Sequence, residues 1–190
     1  VLVFAEANHN LKRRIRPLSK GFTRIAFGAE EKYDWDLDIQ IVPVGVNYSS
    51  HREGRNHVHI KFGECIPVSK FKEAYIADEN EASMQMKDEV SDAMKKLVFH
   101  VEDLDEYSVH KILWEELEAD NTTITDPDIS NARIQKTDAH ITPELIEEAK
   151  ELDKLADKHK VSLKDVAIGK QISAKDLVLS PLYIFSFLNN

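Results

Sequence analysis

The first third of the chain alternates between strand-like and helical patterns of hydrophobic residues. Val1 to Phe4 is an apolar run with the composition of a buried strand. Residues 20–31 carry apolar side chains at helical spacing, and Ser19 stands where an N-cap is expected. Residues 37–46 begin with alternation and become continuously apolar, which predicts an interior strand of a sheet covered on both faces. Residues 57–62 alternate in the way that a half-exposed strand does.

The pattern after about residue 67 is mainly helical. Asn80 is the expected N-cap of a helix over residues 81–101, and a second helix is expected to begin after Thr142, with Pro143 in its first turn. Residues 121–131 have the Asp, Thr and Pro content of a loop. The apolar stripe of the first of these helices consists of Met84, Val90, Met94, Leu97 and Val98.

These elements predict an α/β fold in which helices cover a mixed sheet and a mainly helical extension follows. We place the α/β domain at residues 1–118, a linker loop at 119–131 and the helical extension at 132–190. The apolar run at 177–188 is shorter than the roughly twenty residues that cross a bilayer. We interpret it as a truncated membrane helix or interfacial anchor, the alternative being a buried terminal helix.

Charge is distributed unevenly along the chain, whose net charge is −9. Residues 1–70 hold 11 Lys and Arg against 8 Asp and Glu, whereas residues 71–190 hold 14 against 26. We expect no nucleic-acid partner, because the larger part is strongly acidic. The basic part suits a phosphate ligand or anionic lipid headgroups. The single cysteine, Cys65, excludes an intramolecular disulfide and is expected to be a small core residue.

One carboxylate and a group of cations follow the opening strand. They are Glu6, Lys12, Arg13, Arg14, Arg16 and Lys20. Converging Arg and Lys donors at a strand end can hold a phosphate dianion, and the turn into a helix can position it. The segment therefore predicts an enzyme that handles a phosphorylated substrate.

Three blocks in this region occur in the same order as in a known enzyme family. They are Phe4-Ala5-Glu6-Ala7-Asn8-His9-Asn10, then Pro17-Leu18-Ser19-Lys20-Gly21, then Val42-Pro43-Val44. This order resembles the glycerolipid acyltransferases, whose blocks read Phe-Pro-Glu-Gly-x-Arg-Ser, Pro-Phe-Lys-x-Gly and Val-Pro-Val. The chain departs from the family at Ala5, Ala7, His9 and Ser19. His9 stands in place of a phosphate-binding Arg, and imidazole is charged only below its pKa of about 6.5.

The resemblance implies an O-acyltransferase of phospholipid biosynthesis that needs no cofactor and no metal. The donor would be acyl-CoA or acyl-carrier protein, and the acceptor glycerol 3-phosphate, lysophosphatidic acid or a similar lyso-lipid. The enzyme would work at the cytoplasmic face of the membrane, either peripheral or anchored by other segments. Glu6 would anchor the acceptor or brace the cations, and Pro43 would help form the donor pocket. The implied phosphate-binding residues are His9, Arg13, Arg14, Arg16 and Lys20.

No catalytic residue is expected within these 190 residues. The family places a His-x-x-x-x-Asp motif upstream of the Glu block, with the His as general base and the Asp orienting it. We therefore expect the motif before residue 1 and expect this chain to be inactive as a fragment. His100 and Asp105 have the same spacing, but we interpret them as solvated residues at a helix end.

Other arrangements of ligating residues are incomplete. His57 and His59 share one strand face and could chelate a metal, but no third ligand accompanies them, so we expect a solvated face. Asp34, Asp36 and Asp38 lack the Gly and Glu of a calcium loop and predict a charged loop.

Two other functional classes stay open. The first is a catalytically lapsed module that binds membranes or anionic lipids through the basic patch and the apolar run. The second is a hydrolase of phosphorylated substrates, although no nucleophile motif is present.

Overall fold

A computed structural model of the chain describes residues 1–6, 12–48, 58–119, 127–138 and 140–161. The chain divides into two compact units. The first consists of Val1–His100 with Thr125–Asn131, and the second of Val101–Ile124 with Ala132–Asn190. Helices and small antiparallel sheets make up the described parts, which agrees with the general α/β class predicted from the sequence.

The helices and strands follow one another in this order along the chain: α1 (Gly21–Lys32), β1 (Gln40–Ile41), β2 (Val44–Tyr48), β3 (Val58–Phe62), β4 (Ile66–Pro67), a 3-10 helix (Val68–Phe71), α2 (Lys72–Ala77), α3 (Glu79–Lys95), α4 (Tyr107–Ala119), α5 (Pro127–Asp138) and α6 (Pro143–His159).

The described strands form two separate two-stranded antiparallel sheets. β1 pairs with β4, and β2 pairs with β3. The prediction of one interior strand over residues 37–46 is wrong, because this segment is divided between the two sheets at Pro43. Proline has no N–H to donate to a ladder, so a position between two strands satisfies it. Val46 is 42% exposed, so the expected cover on both faces is also absent at this position.

The hairpin of β2 and β3 buries its less apolar side. Gly45 and Asn47 are buried, and His59, which lies opposite Asn47, is partly buried. The half-exposed character predicted for β3 is confirmed, but the solvated position expected for His59 is wrong. His57 lies outside the described residues. The outer side of the hairpin exposes large apolar side chains, namely Val46, Tyr48, Val58, Ile60 and Phe62.

Gly45 allows a close approach of two backbone segments. A Cβ atom on Gly45 would lie 2.2 Å from the carbonyl oxygen of Leu97, which no side chain can tolerate. Asn47 joins the same two segments, since its Nδ2 donates to Leu97 O at 2.9 Å and its Oδ1 accepts from Phe99 N at 3.0 Å. The absence of a side chain at Gly45 therefore lets the segment after α3 approach β2, and the buried amide of Asn47 holds the two together.

The core of the first unit lies where α1 and α3 meet the 3-10 helix. Phe27 is its most enclosed aromatic residue, and its ring centroid lies 4.6 Å from that of Tyr75 and 6.5 Å from that of Phe71. The buried residues of this cluster are Ile15, Leu18, Phe22, Ala26, Phe27, Ile66, Val68, Phe71, Ala82, Met86, Val90 and Val98. Burial of such apolar surface is the main favourable term for folding this unit.

Helix α3 differs from the prediction at both ends and on its buried face. Its N-cap is Asp78, whose carboxylate accepts from the backbone N–H groups of Asn80 and Glu81, and the helix ends at Lys95 rather than near residue 101. An Asp at the N-cap satisfies two otherwise unpaired donors, which is why the helix begins before Asn80. Met84 is 40% exposed, so its predicted place in the apolar stripe is wrong.

The loop after α1 is organised by a buried carboxylate. Glu30 is fully buried, and its Oε1 accepts from the backbone N–H of Ile39 at 2.6 Å. Asp34, Trp35 and Asp38 adopt left-handed backbone conformations in this turn. The predicted charged loop is confirmed at these aspartates.

The second unit has its own small core between α4 and α6. Val109 and Ile112 pack with Ala149, Leu152 and Ala156. The predicted start of α6 is confirmed, because Thr142 accepts from the Leu145 N–H and Pro143 occupies the first turn.

Helix α5 begins at Pro127, so residues 127–131 of the predicted linker are helical. The apolar run at 177–188 lies outside the described residues. Among the described helices, none is both long and apolar enough to cross a bilayer.

Two expectations about single residues are also wrong. Cys65 is exposed rather than a core residue. His100 is partly buried, and its Nδ1 accepts from the Ile15 N–H at 2.9 Å, while Asp105 is exposed as expected. The backbone N–H of Ile15 needs an acceptor inside the fold, and the imidazole of His100 supplies it.

Candidate functional site

Glu6 and Leu18 connect the first two blocks of the resemblance. The backbone of Glu6 forms an isolated antiparallel bridge with the backbone of Leu18. Glu6 Oε1 accepts from the Arg16 backbone N–H at 3.1 Å, and Glu6 Oε2 lies 3.0 Å from Arg16 Nη2. Both side chains are mostly buried, with 24% and 15% of their surfaces exposed. The structure thus brings these two predicted site residues into direct contact.

Arg13 connects the same basic segment to the end of β2. Its Nη1 donates to the backbone carbonyl of Tyr48 at 3.0 Å, and its guanidinium carbon lies 5.8 Å from the centre of the Phe99 ring. A guanidinium over an aromatic face gains a cation–π attraction in addition to its hydrogen bond. These contacts make Arg13 a structural link between the basic segment and the hairpin.

Arg14 and Lys20 differ from the other two cations. Both side chains are partly exposed, and neither forms an ion pair with another of the described residues. Lys20 is also the residue before the first turn of α1, where backbone N–H groups are unpaired and favour an anion. Ser19, predicted as the N-cap of α1, is exposed and precedes the observed cap by one residue. Arg14 and Lys20 are therefore the cations available to a ligand.

Pro43 lies in a buried position between β1 and β2. Its carbonyl accepts from the Gly63 N–H at 2.9 Å, and its Cβ lies 3.5 Å from where a Cβ on Gly63 would stand. The structure brings Pro43 against the turn after β3 rather than against the cations. His9, the remaining predicted site residue, lies outside the described residues.

A second group of chemically capable residues lies within the second unit. Glu106 precedes α4, His110 lies in its first turns, and Asp138 ends α5. One ligand atom from each of the three side chains lies within 4.8 Å of the others. His110 has 3% of its side chain exposed, and its Nε2 is 3.1 Å from Asp138 Oδ1. Sequence reasoning did not single out this group.

The environment of the group shifts two pKa values. Burial lowers the pKa of His110 below 6.5, although the charge of Asp138 acts in the opposite direction. Burial raises the pKa of Glu106 above 4.5, and the nearby carboxylates of Asp103 and Asp138 add to this increase. Near neutral pH the group therefore contains a neutral imidazole facing crowded carboxylates.

The sequence signal for this group is partial. Glu106 and His110 have the i and i+4 spacing that puts two side chains on one helical face, and this could have been found. Asp138 comes from another helix and could not have been paired with them by spacing. No protein-family model matches the chain, and no match was found among curated proteins or among solved structures.

Proposed function

We propose that the chain is part of an O-acyltransferase of phospholipid biosynthesis. It would move a fatty acyl group from acyl-CoA or acyl-carrier protein to glycerol 3-phosphate, lysophosphatidic acid or a similar lyso-lipid. The observation that carries the proposal is the antiparallel bridge between Glu6 and Leu18, because it joins two separate blocks of the resemblance at one place, and the ion pair of Glu6 with Arg16 lies beside it. Such contact is what a site assembled from both blocks requires.

The contacts divide the cations into two roles. Glu6 uses one carboxylate oxygen for the backbone and the other for the guanidinium of Arg16, so its role is to brace the basic segment. Arg14 and Lys20 would bind the acceptor phosphate, since charge-assisted bonds to phosphate are among the stronger polar contacts. Arg13 would keep the segment fixed to β2.

The first unit carries both kinds of surface that an amphiphilic acceptor would use. Arg13 donates to the Tyr48 carbonyl at the end of β2, and the hairpin of β2 and β3 exposes Val46, Ile60 and Phe62 on its outer side. A lyso-lipid has a phosphate and an acyl chain, which match the basic segment and the apolar face respectively. Work at the cytoplasmic face of a membrane, as a peripheral or anchored protein, is part of the same proposal.

The proposed reaction requires a general base that the resemblance expects upstream of residue 1. The base would take the proton of the acceptor hydroxyl, and the oxygen would attack the thioester carbonyl. A C–O bond forms, the C–S bond breaks, and the thiol leaves with a proton. The described residues would contribute the binding of the phosphate and the orientation of the acceptor.

The test is acyl transfer by a protein that contains this chain together with the upstream His-x-x-x-x-Asp motif. Acyl-CoA or acyl-carrier protein is mixed with glycerol 3-phosphate or lysophosphatidic acid, and products are identified by mass spectrometry. We expect Arg14→Gln to lower kcat/KM for the acceptor by at least about tenfold, the size of a lost charged hydrogen bond. Arg24→Gln is the matched control, because Arg24 is exposed on α1 outside the three blocks.

Two results would contradict different parts of the proposal. A folded protein that yields no acylated product with any of these donors and acceptors contradicts the proposed activity. Equal effects of Arg14→Gln and Arg24→Gln would remove Arg14 from the acceptor site while leaving the activity itself in place.

A lipid-binding module without catalysis is the second candidate. The cations of the basic segment and the exposed apolar side chains of the hairpin would also serve binding to anionic membranes. Vesicles with and without phosphatidic acid, sedimented with the 190-residue chain, would test it. Binding of this chain to anionic vesicles, together with no transfer activity in the protein that contains the upstream motif, would favour the module over the enzyme.

A further inference from the structure

The group formed by Glu106, His110 and Asp138 has a geometry that ordinary side-chain pairing does not explain. His110 Nε2 is buried and has no hydrogen-bond partner, although Asp138 Oδ1 is only 3.1 Å away. The two atoms are close in space but are not joined by a hydrogen bond of ordinary geometry. A buried polar atom without a partner destabilises the folded state, so it calls for an explanation.

The carboxylates of the group also have no cationic partner. No Lys or Arg among the described residues pairs with Glu106 or Asp138. Two lysines of the same unit have carboxylate partners outside the group, because Lys111 pairs with Asp153 and Lys150 lies 3.5 Å from Asp105. The ion pairs of the described residues therefore leave two carboxylates and one imidazole nitrogen facing one another.

We propose that Glu106, His110 and Asp138 bind a divalent transition-metal ion, with Zn²⁺ as the best match for one imidazole nitrogen and two carboxylates. Imidazole favours transition metals over Mg²⁺ and Ca²⁺, and Zn²⁺ accepts both nitrogen and carboxylate ligands. An ion between the three side chains would give His110 Nε2 its partner and neutralise the carboxylates. This inference does not depend on the proposed acyltransferase function.

The distances are close to those of an assembled site. Ligand atoms bonded to one ion at about 2.1 Å are roughly 3.0–3.5 Å apart, which the 3.1 Å between His110 Nε2 and Asp138 Oδ1 already satisfies. The widest separation in the group is within 4.8 Å, so side-chain rotation of roughly 1 Å would complete the set. Glu106 is partly exposed and Asp138 is exposed, so both carboxylates have room for this adjustment.

The number of protein ligands also fits a metal site that is open to solvent. Three protein ligands would leave at least one coordination position for water or another oxygen ligand.

The test is titration of the metal-free 190-residue chain with ZnCl₂, followed by isothermal calorimetry and by competition with a coloured zinc chelator. We expect one equivalent to bind and Glu106→Gln and Asp138→Asn each to weaken binding at least about tenfold. These two changes are isosteric and lie at accessible positions, so they keep the fold, which circular dichroism checks. His110→Gln removes the buried ligand and should have at least as large an effect.

Two matched controls separate this site from general binding by surface groups. His159→Gln and Glu148→Gln replace exposed residues of α6 that lie outside the group, and both should bind Zn²⁺ as the unchanged chain does. Co²⁺ in place of Zn²⁺ should shift the ¹H resonances of the His110 ring by its unpaired electrons. Absence of a stoichiometric site, or equal affinities of Asp138→Asn and the unchanged chain, would overturn the proposal.

Discussion

A methyl group added at Gly45 should destabilise the first unit strongly. In the Gly45→Ala variant the added Cβ would lie 2.2 Å from Leu97 O and 2.7 Å from Leu97 C, whereas ordinary contacts of this kind begin at about 3.2 Å. The backbone of β2 and the segment after α3 would have to separate by roughly 1 Å. Overpacking of this kind costs about 1–3 kcal/mol by itself.

The same separation would break the two hydrogen bonds of Asn47. They measure 2.9 Å to Leu97 O and 3.0 Å from Phe99 N, so an added separation of about 1 Å takes both beyond hydrogen-bond range. Each bond contributes about 1 kcal/mol net, and the buried amide would lose its partners. The free energy of unfolding of Gly45→Ala should therefore be lower by about 3 kcal/mol. In a domain of this size the expected fall in Tm is about 12–24 °C.

Trp35 fluorescence can follow unfolding of the first unit in urea. Its ring packs against Phe27 and Tyr75, with centroids 6.2 Å and 5.6 Å apart, and replacement of Trp114 by Phe removes the other tryptophan signal. Gly28→Ala is the matched control, because a Cβ there meets nothing within 4 Å.

Gly28→Ala should instead stabilise the unit by about 0.5–1 kcal/mol, since Gly28 lies within helix α1 and alanine has the higher helix propensity. The two substitutions add the same methyl group and are expected to have opposite signs. A free energy of unfolding for Gly45→Ala within about 0.5 kcal/mol of the unchanged chain would refute the close approach of β2 and Leu97.

Two further predictions concern the second unit. Thr142→Ala removes the hydroxyl that accepts from the Leu145 N–H, and it should lower the free energy of unfolding by about 1 kcal/mol in thermal or urea unfolding. Thr142→Ser keeps a hydroxyl and should retain most of the stability of the unchanged chain. Because the pKa of His110 is lowered in the folded state, the unfolded chain takes up a proton near pH 6.5, before the folded chain does. The contribution of His110 to the free energy of unfolding is therefore complete above pH 6.5, and it falls as the pH decreases toward the pKa of the folded state. Between about pH 7.5 and 5.5, in EDTA, the unchanged chain should therefore lose more stability than His110→Gln. Glu106, whose pKa is raised, changes the pH dependence of stability with the opposite sign above pH 4.5, and it does so in both proteins. Equal pH profiles of the unchanged chain and His110→Gln would contradict burial of His110 as the cause of the pH dependence.

Local sequence signals predicted several elements because their causes are local. Thr142 and Pro143 specify the start of α6 through one side-chain bond and one restricted dihedral, both within a single turn. The same holds for the helical spacing of α1 and for the alternation of β3. The N-cap of α3 was missed by two residues, since Asp78 and Asn80 are both good caps and only one satisfies the donors observed.

Long-range strand pairing determined which sheet each part of the apolar segment at residues 37–46 joins. Residues 37–46 have the composition of one buried strand, but β1 pairs with β4 and β2 pairs with β3. The pairing partners, β4 and β3, determine the sheet to which each half of the segment belongs. Pro43 can be recognised as the boundary between the halves only when these partners are known. The exposure of Val46 follows from the same choice, because the inner face of β2 is occupied by Gly45 and Asn47 against residues 97–99.

For the candidate sites, the sequence by itself determined which residue types were present and which lay in one block. It predicted a basic segment with one carboxylate after an opening strand, and the i and i+4 spacing of Glu106 and His110 was present in it. Only the tertiary structure decided that Glu6 engages Arg16, that Arg13 is bound to the end of β2, and that Asp138 completes a group with His110. The physical reason is that a charge or a ligand acts over a few ångströms in space, and chain folding sets those distances independently of separation along the sequence.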